Sequence, residues 1–190
     1  MKAYRNLTVL GAAATFLLPL LLGGATGGEE APGGKEEMRL SDDFSIARVS
    51  ESDGLVFVKP VLGERWTLVE DGTVLEAGDL LKADSRGANA AELRLADGTA
   101  AVLGPAAILE LPRAGVLRLH RGDLEVRPAK GSKVRVEAPS GPSETPESPR
   151  LFRAADGRLS VLEVEPPWLR GFKAKASKAT EEAAALAKAF

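Results

Sequence analysis

The chain has 190 residues, with 25 Lys and Arg, 27 Asp and Glu, a single His and no Cys. Without Cys there are no disulfides, thiolate nucleophiles or iron–sulfur clusters, and one His cannot supply the two or three imidazoles of a typical zinc enzyme. A formal net charge of -2 argues against a nucleic-acid-binding domain, which normally carries a strongly basic face. The composition therefore favours a binding, structural or signalling role over catalysis.

Residues 1–27 have the three-part layout of a secretory signal peptide. Lys2 and Arg5 precede an uncharged stretch whose apolar part, residues 7–22, is shorter than the roughly 20 residues that span a bilayer, and small residues follow it. We expect export, either through a cleaved signal peptide or through a signal anchor that keeps residues 7–28 in the inner membrane. A mature N-terminus near Gly28 would distinguish the first case from the second.

Residues 28–43 are rich in Gly and Glu and nearly free of apolar side chains, which predicts a flexible linker. From residue 44 onward, short runs of alternating apolar and polar residues predict β-strands. In this alternation Leu93 and Leu95 fall on one buried face, as do Leu117 and Leu119. The predicted strands are 44–49, 55–61, 66–69, 91–95, 100–103, 108–111, 116–119, 124–127 and 134–137.

Turn signals separate these runs. Asp-Gly occurs at 53–54, 71–72, 97–98 and 156–157, and this dipeptide favours type I′ hairpin turns, in which both central residues have positive φ. Gly-Asp at 78–79 and at 122–123 is interpreted as a second kind of turn. The pattern predicts an all-β fold over residues 44–165, a compact β-roll or sandwich of short antiparallel hairpins.

Residues 138–149 contain four prolines and predict an extended loop with few backbone hydrogen bonds. The runs 150–152 and 159–164 flank the Asp-Gly turn at 156–157. They are predicted to form a closing hairpin after the loop.

The C-terminal segment, residues 166–190, is the one predicted α-helix outside the signal segment. After Pro166 and Pro167, apolar residues recur at steps of three and four and form a single stripe. This stripe predicts either a helix that packs on the β-domain or a surface for self-association or for a partner. The residues that we expect to mediate self-association are Leu169, Phe172, Leu186 and Phe190.

The order of turns and strands resembles the FecR domain family. That family shows a GD turn, a strand ending in DG and Ser or Thr, an L-x-P-x-x-x-L-x-L strand, an L-x-x-G strand and a final V-x-T-P. The matching positions here are Gly78-Asp79, Asp97-Gly98-Thr99, residues 103–111, residues 119–122 and residues 136–139. The resemblance covers about residues 44–165 and implies an all-β module outside the cytoplasm.

Two features depart from that family. Its membrane regulators carry a cytoplasmic segment that grips a sigma factor, whereas here only Met1 to Asn6 precede the apolar run, so we expect no such binding region. The proline-rich loop also replaces a strand that the family usually has after V-x-T-P.

The sequence predicts no catalytic, cofactor-binding or metal-binding residues. His120 alternates with Leu117 and Leu119, which predicts that it faces solvent. The aspartates beside glycine are expected to accept backbone N–H groups in turns, as short acidic side chains commonly do. These are Asp79, Asp97 and Asp123; Trp66 and Trp168 are predicted to be core and boundary anchors.

From these observations we expect a non-enzymatic exported module of the cell envelope that recognises an unidentified envelope protein or glycan or has a structural role. The alternative is a membrane-anchored FecR-type sensor that takes part in transmembrane signalling without its own sigma-factor-binding region. A third hypothesis, an envelope hydrolase, predicts two carboxylates some 5–10 Å apart in a cleft.

Overall fold

The computed structural model describes residues 45–189. The predicted signal segment, the linker, Phe44 and Phe190 lie outside the described residues. The strands are β1 (Ser45–Asp53), β2 (Val56–Lys59), β3 (Thr67–Leu68), β4 (Val74–Glu76), β5 (Leu80–Ala83), β6 (Ala90–Leu95), β7 (Ala100–Leu103), β8 (Ile108–Arg113), β9 (Val116–Arg127), β10 (Arg135–Glu137), β11 (Arg150–Ala155) and β12 (Arg158–Leu162), followed by helix α1 (Pro167–Ala189).

These strands form one curled sheet in which all pairs except the parallel β9–β10 pair are antiparallel. Strand β9 takes part in both halves: residues 116–121 pair with β8 and β10, and residues 122–127 pair with β7 and β11. We call the strands β4-β1-β6-β7-β9-β11-β12 sheet A and the strands β3-β2-β5-β8-β9-β10 sheet B. The predicted all-β fold with one C-terminal helix is confirmed at this level.

The larger of two apolar clusters lies on the inner faces of the two sheets. The predicted pairs Leu93/Leu95 and Leu117/Leu119 are buried, as the alternation indicated. Phe152 of β11 is the largest fully buried side chain of the core. Burial of each such side chain contributes about 2 kcal/mol, so these alternating faces supply much of the stability of a chain without disulfides.

Strand β9 corrects the prediction of two strands, 116–119 and 124–127, separated by a Gly-Asp turn. Gly122 lies within β9, at the point where its pairing passes from sheet B to sheet A, and has φ +84°. A Cβ at Gly122 would lie 2.5 Å from Cα of Ala107. The glycine therefore lets one strand bend between two sheets instead of ending it.

The Asp-Gly turns are of more than one type. Asp156 (φ 51°) and Gly157 (φ 74°) both have positive φ and join β11 to β12, so the closing hairpin and its turn are confirmed. At 53–54, 71–72 and 97–98 only the glycine has positive φ, and the type I′ prediction is wrong there. Strands β4 and β5 are additional to the predicted strands.

Candidate functional site

The first turns of helix α1 pack on part of the outer face of sheet A. Its residues Leu169 and Phe172 are buried against Ala90, Val102 and Leu151 of that face. The first turns of α1 therefore pack on the β-domain, as one of the predicted alternatives stated. The side chain of Leu186 and all of Phe190 lie outside the described residues, and self-association stays a prediction.

Polar contacts hold the start of α1 in the same place. Trp168 Nε1 donates to Asp123 Oδ2 at 3.3 Å, and a Cβ at Gly104 would lie 2.5 Å from Cζ2 of the Trp168 ring. Arg153 binds both oxygens of Asp123, at 2.6 and 2.9 Å. Trp168 is thus a boundary anchor, as predicted. Asp123 does not cap a turn, because it lies inside β9 and its carboxylate faces Arg153 and Trp168.

The outer face of sheet B, in contrast, carries no helix in residues 45–189. We call it the open face. The strand register places its side chains in two rows across the strands. The first row is Leu68, Phe57, Lys82 and Ile108, and the second is Lys59, Leu80, Glu110, Arg118 and Glu137.

Trp66 and Leu68 present the most exposed apolar surface of the open face. They are 43% and 48% exposed, and Lys82 Nζ lies 6.0 Å from the centroid of the Trp66 ring. The prediction that Trp66 is a core residue is wrong. It precedes the two-residue edge strand β3, where the alternation that buries Val69 turns Trp66 and Leu68 outward.

The loop that leads to Trp66 is fixed at its base. Gly63 N–H donates to Pro60 O at 2.9 Å, which closes a turn whose tip is Leu62, 96% exposed. The buried Asp79 accepts the N–H of Val61 at 3.1 Å and that of Glu76 at 2.9 Å, which confirms its predicted role in a turn. A rigid base with an exposed apolar tip is typical of binding loops.

A charged cluster occupies the other end of the open face. Arg118 donates to Glu137 Oε1 at 2.9 Å and to Glu110 Oε1 at 3.1 Å, and the ring of His120 lies 2.8 Å from Glu110 Oε2. The hydrogen bond to Glu137, followed by the charge of Glu110, raises the pKa of Arg118 above its ordinary value, so the guanidinium stays charged. His120 faces outward as predicted, but it is paired and only partly exposed.

A cleft of about 430 Å³ borders this cluster, between β9, β10 and the proline-rich loop. Arg118, His120 and Glu137 line it from the strands, and Pro139 and Ser143 line it from the loop. The predicted loop thus forms one wall of a polar cleft. Glu110 and Glu137 are both bound by Arg118, so they do not form an unpaired acid and base facing open space.

Asp97 lies away from the open face and accepts a backbone N–H group in a turn, as predicted. Its Oδ1 accepts the N–H of Thr99 at 2.9 Å, and Ser132 Oγ donates to its Oδ2 at 2.6 Å. Burial raises the pKa of Asp97, but the hydrogen bonds from Ser132 and Thr99 together outweigh it and hold the pKa below its usual range.

We expect Asp97→Asn to flatten the pH dependence of the unfolding free energy below about pH 4. Because the folded pKa is lowered, the carboxylate stabilises the fold fully above its unfolded pKa, and this stabilisation is lost as the pH falls through the folded pKa. Chemical denaturation at several pH values measures the effect. Asp156→Asn, at a different turn, serves as the control; equal slopes in acid for wild type and Asp97→Asn would refute the expectation.

Among residues 45–189 no three His, Asp or Glu side chains are grouped as a metal site would require. Nor does that part of the chain contain a helix that is both long and apolar enough to cross a bilayer. The sequence did not reveal the open face. The available signal was the outward phase of Trp66 and Leu68, but it became readable only once the pairing of β2, β3 and β5 was known.

Fold and site together define a mainly antiparallel β-domain with one helix on sheet A and an uncovered face on sheet B. No protein-family model and no curated protein matches the chain. A solved structure described as "Cell surface anchoring domain" aligns with 24% identity over 35% of this chain and 84% of that one, with a TM-score of 0.32. A similarity of this size supports no conclusion about function.

Proposed function

We propose that the chain is a non-enzymatic, exported recognition module of the cell envelope, of the FecR-domain type, and that it binds its partner through the open face. The observation that carries the proposal is the difference between the two outer faces. Leu169 and Phe172 of α1 bury Ala90, Val102 and Leu151 on sheet A, whereas sheet B exposes Trp66 and Leu68 beside Phe57, Leu80 and Ile108.

Exposed apolar clusters of this kind mark interaction surfaces, because they cost solvation free energy when no ligand covers them. Export is supported by the signal-like residues 1–27. The FecR assignment is supported by the order of the sequence motifs, from Gly78-Asp79 to residues 136–139. A role without catalysis is supported by the composition, which contains no Cys and a single His.

We expect the mature chain, residues 28–190, to bind saturably to a cell-envelope fraction of the source cells in a co-sedimentation assay. The double variant Trp66→Ala/Leu68→Ser is expected to bind at least five-fold more weakly, since it removes the exposed apolar surface of the open face. Both side chains are exposed, so the fold should be retained, which circular dichroism and thermal unfolding check.

Val164→Ser is the matched control, because Val164 is also exposed, at 80%, but follows β12 on the sheet A side. Equal loss of binding in the control and in the double variant would remove the open face as the recognition surface. Absence of binding by the wild-type chain would remove the proposed function itself.

A further inference from the structure

We propose that the open face takes an extended acidic polysaccharide, laid across the strands of sheet B from Trp66 to the cleft beside His120. This inference rests on the proposed function and names the class of its partner. Three observations carry the inference. They are the row of side chains across the open face, two lysines without an acidic partner, and the fixed charged cluster at the far end.

A continuous row of side chains, which we call the track, crosses the open face. The second row has one residue on each of the strands β2, β5, β8, β9 and β10. Trp66, which directly precedes β3, extends the row by one strand. At about 4.8 Å per strand, five steps give a length of about 24 Å. A track of that length holds several consecutive sugar rings.

One end of the track offers an aromatic platform. The Trp66 ring is partly exposed, and Leu68 and Phe57 lie beside it on the same face. Sugar rings have apolar C–H faces and hydroxyl edges, so they pack on an indole while keeping their polar groups free for hydrogen bonds. Tryptophan suits such amphipathic ligands because it combines a large apolar surface with a polar N–H.

The same end carries positive charge without a matching carboxylate. Lys59 and Lys82 flank Trp66 and Leu80, and no described carboxylate lies within ion-pair distance of either amine. Arg118, on the same face, differs in that Glu110 and Glu137 are its acidic partners. On a chain with a net charge of -2, a local pair of free cations selects for acidic groups on the ligand.

The other end provides fixed polar groups. Arg118 is held between Glu110 and Glu137, and Glu110 also fixes His120. Side chains that are already ordered lose little conformational entropy when a ligand binds, so they suit the recognition of hydroxyl groups. The cleft that they line with Ser143 gives the chain end of a polysaccharide a place to lie.

Binding to four preparations tests the inference: the untreated envelope fraction, the protease-digested fraction, the digested fraction with its carboxylates amidated, and vesicles of the phospholipids extracted from it. We expect binding to survive protease, to fall at least five-fold after amidation and to be absent from the vesicles. Binding should also weaken as salt increases, because exposed charges contribute to it.

Each contrary result has a defined meaning. Loss of binding after protease identifies a protein partner; it overturns the glycan and leaves the proposed function standing. Binding to the vesicles overturns the glycan in favour of lipid. Undiminished binding after amidation, with binding that does not weaken as salt increases, overturns the acidic character of the ligand. Failure to bind the untreated fraction overturns both proposals.

Two single variants, tested for binding to the digested fraction, show where on the protein the ligand binds. Trp66→Ala and Lys82→Ala are each expected to weaken binding at least five-fold. Arg158→Ala, which removes an exposed cation from β12 at the edge of sheet A, is expected to leave binding unchanged. If Arg158→Ala weakens binding as much as Lys82→Ala does, the attraction is one of overall charge, and the track is refuted.

Discussion

Gly122→Ala is expected to destabilise the domain by about 3 kcal/mol, whereas Gly115→Ala is expected to cost about 1 kcal/mol. Both glycines have positive φ, +84° and +71°, so both substitutions introduce the same kind of backbone strain. The difference arises from space: a Cβ at position 122 would lie 2.5 Å from Cα and 2.7 Å from Cβ of Ala107, and nothing lies within 4 Å of one at position 115.

Urea denaturation of the two variants and the wild type measures this difference directly. The neighbour of Gly122 is backbone, which cannot rotate away, so β9 or the turn before β8 has to shift. Similar destabilisation by both variants would show that β9 does not pass Ala107 as closely as described.

Phe172→Ala is expected to cost about 3 kcal/mol and to release the start of α1 from sheet A. Phe172 is buried against the outer face of sheet A, and its removal leaves a cavity beside Leu151 and Val102. Hydrogen exchange of the α1 amides, together with urea denaturation, measures the release. Ser177→Ala, an exposed position on the same helix, is the control and should change stability by only a few tenths of a kcal/mol.

Sedimentation velocity separates this role from the predicted self-association through Leu169, Phe172, Leu186 and Phe190. If Phe172 acts within one chain, the variant loses stability and keeps the sedimentation coefficient of the folded wild type at low denaturant. A wild-type dimer that dissociates in the variant, with unchanged helix protection, would instead assign the stripe to association between chains.

The strand faces could be predicted from sequence because alternation is a local property. Leu93 and Leu95 are two residues apart on one strand, so their common burial needs no knowledge of any partner strand. The Asp156-Gly157 hairpin was predictable for the same reason. Its two strands are neighbours in sequence, and the turn residues meet the φ requirement of that turn.

The candidate site was not predictable in this way. Trp66, Lys82 and Arg118 come together through the pairing of β3, β2, β5, β8 and β9, and that pairing depends on packing between residues far apart in the chain. Which outer face stays open is decided by α1, whose stripe shows that it packs but not on which sheet. The strand prediction is wrong at Gly122, because a glycine that bends a strand and a glycine that ends one cannot be distinguished in the sequence.

The shared strand β9 has a consequence for how the molecule unfolds. Residues 116–121 pair within sheet B and residues 122–127 pair within sheet A. Loss of β9 from one sheet therefore also removes a strand from the other. The two sheets therefore form one cooperative unit and unfold in a single transition. Because β9 pairs with strands on both sides of it in the chain, a fragment that ends before β11 lacks one of the partners of β9, and we expect such a fragment to be open to proteolysis.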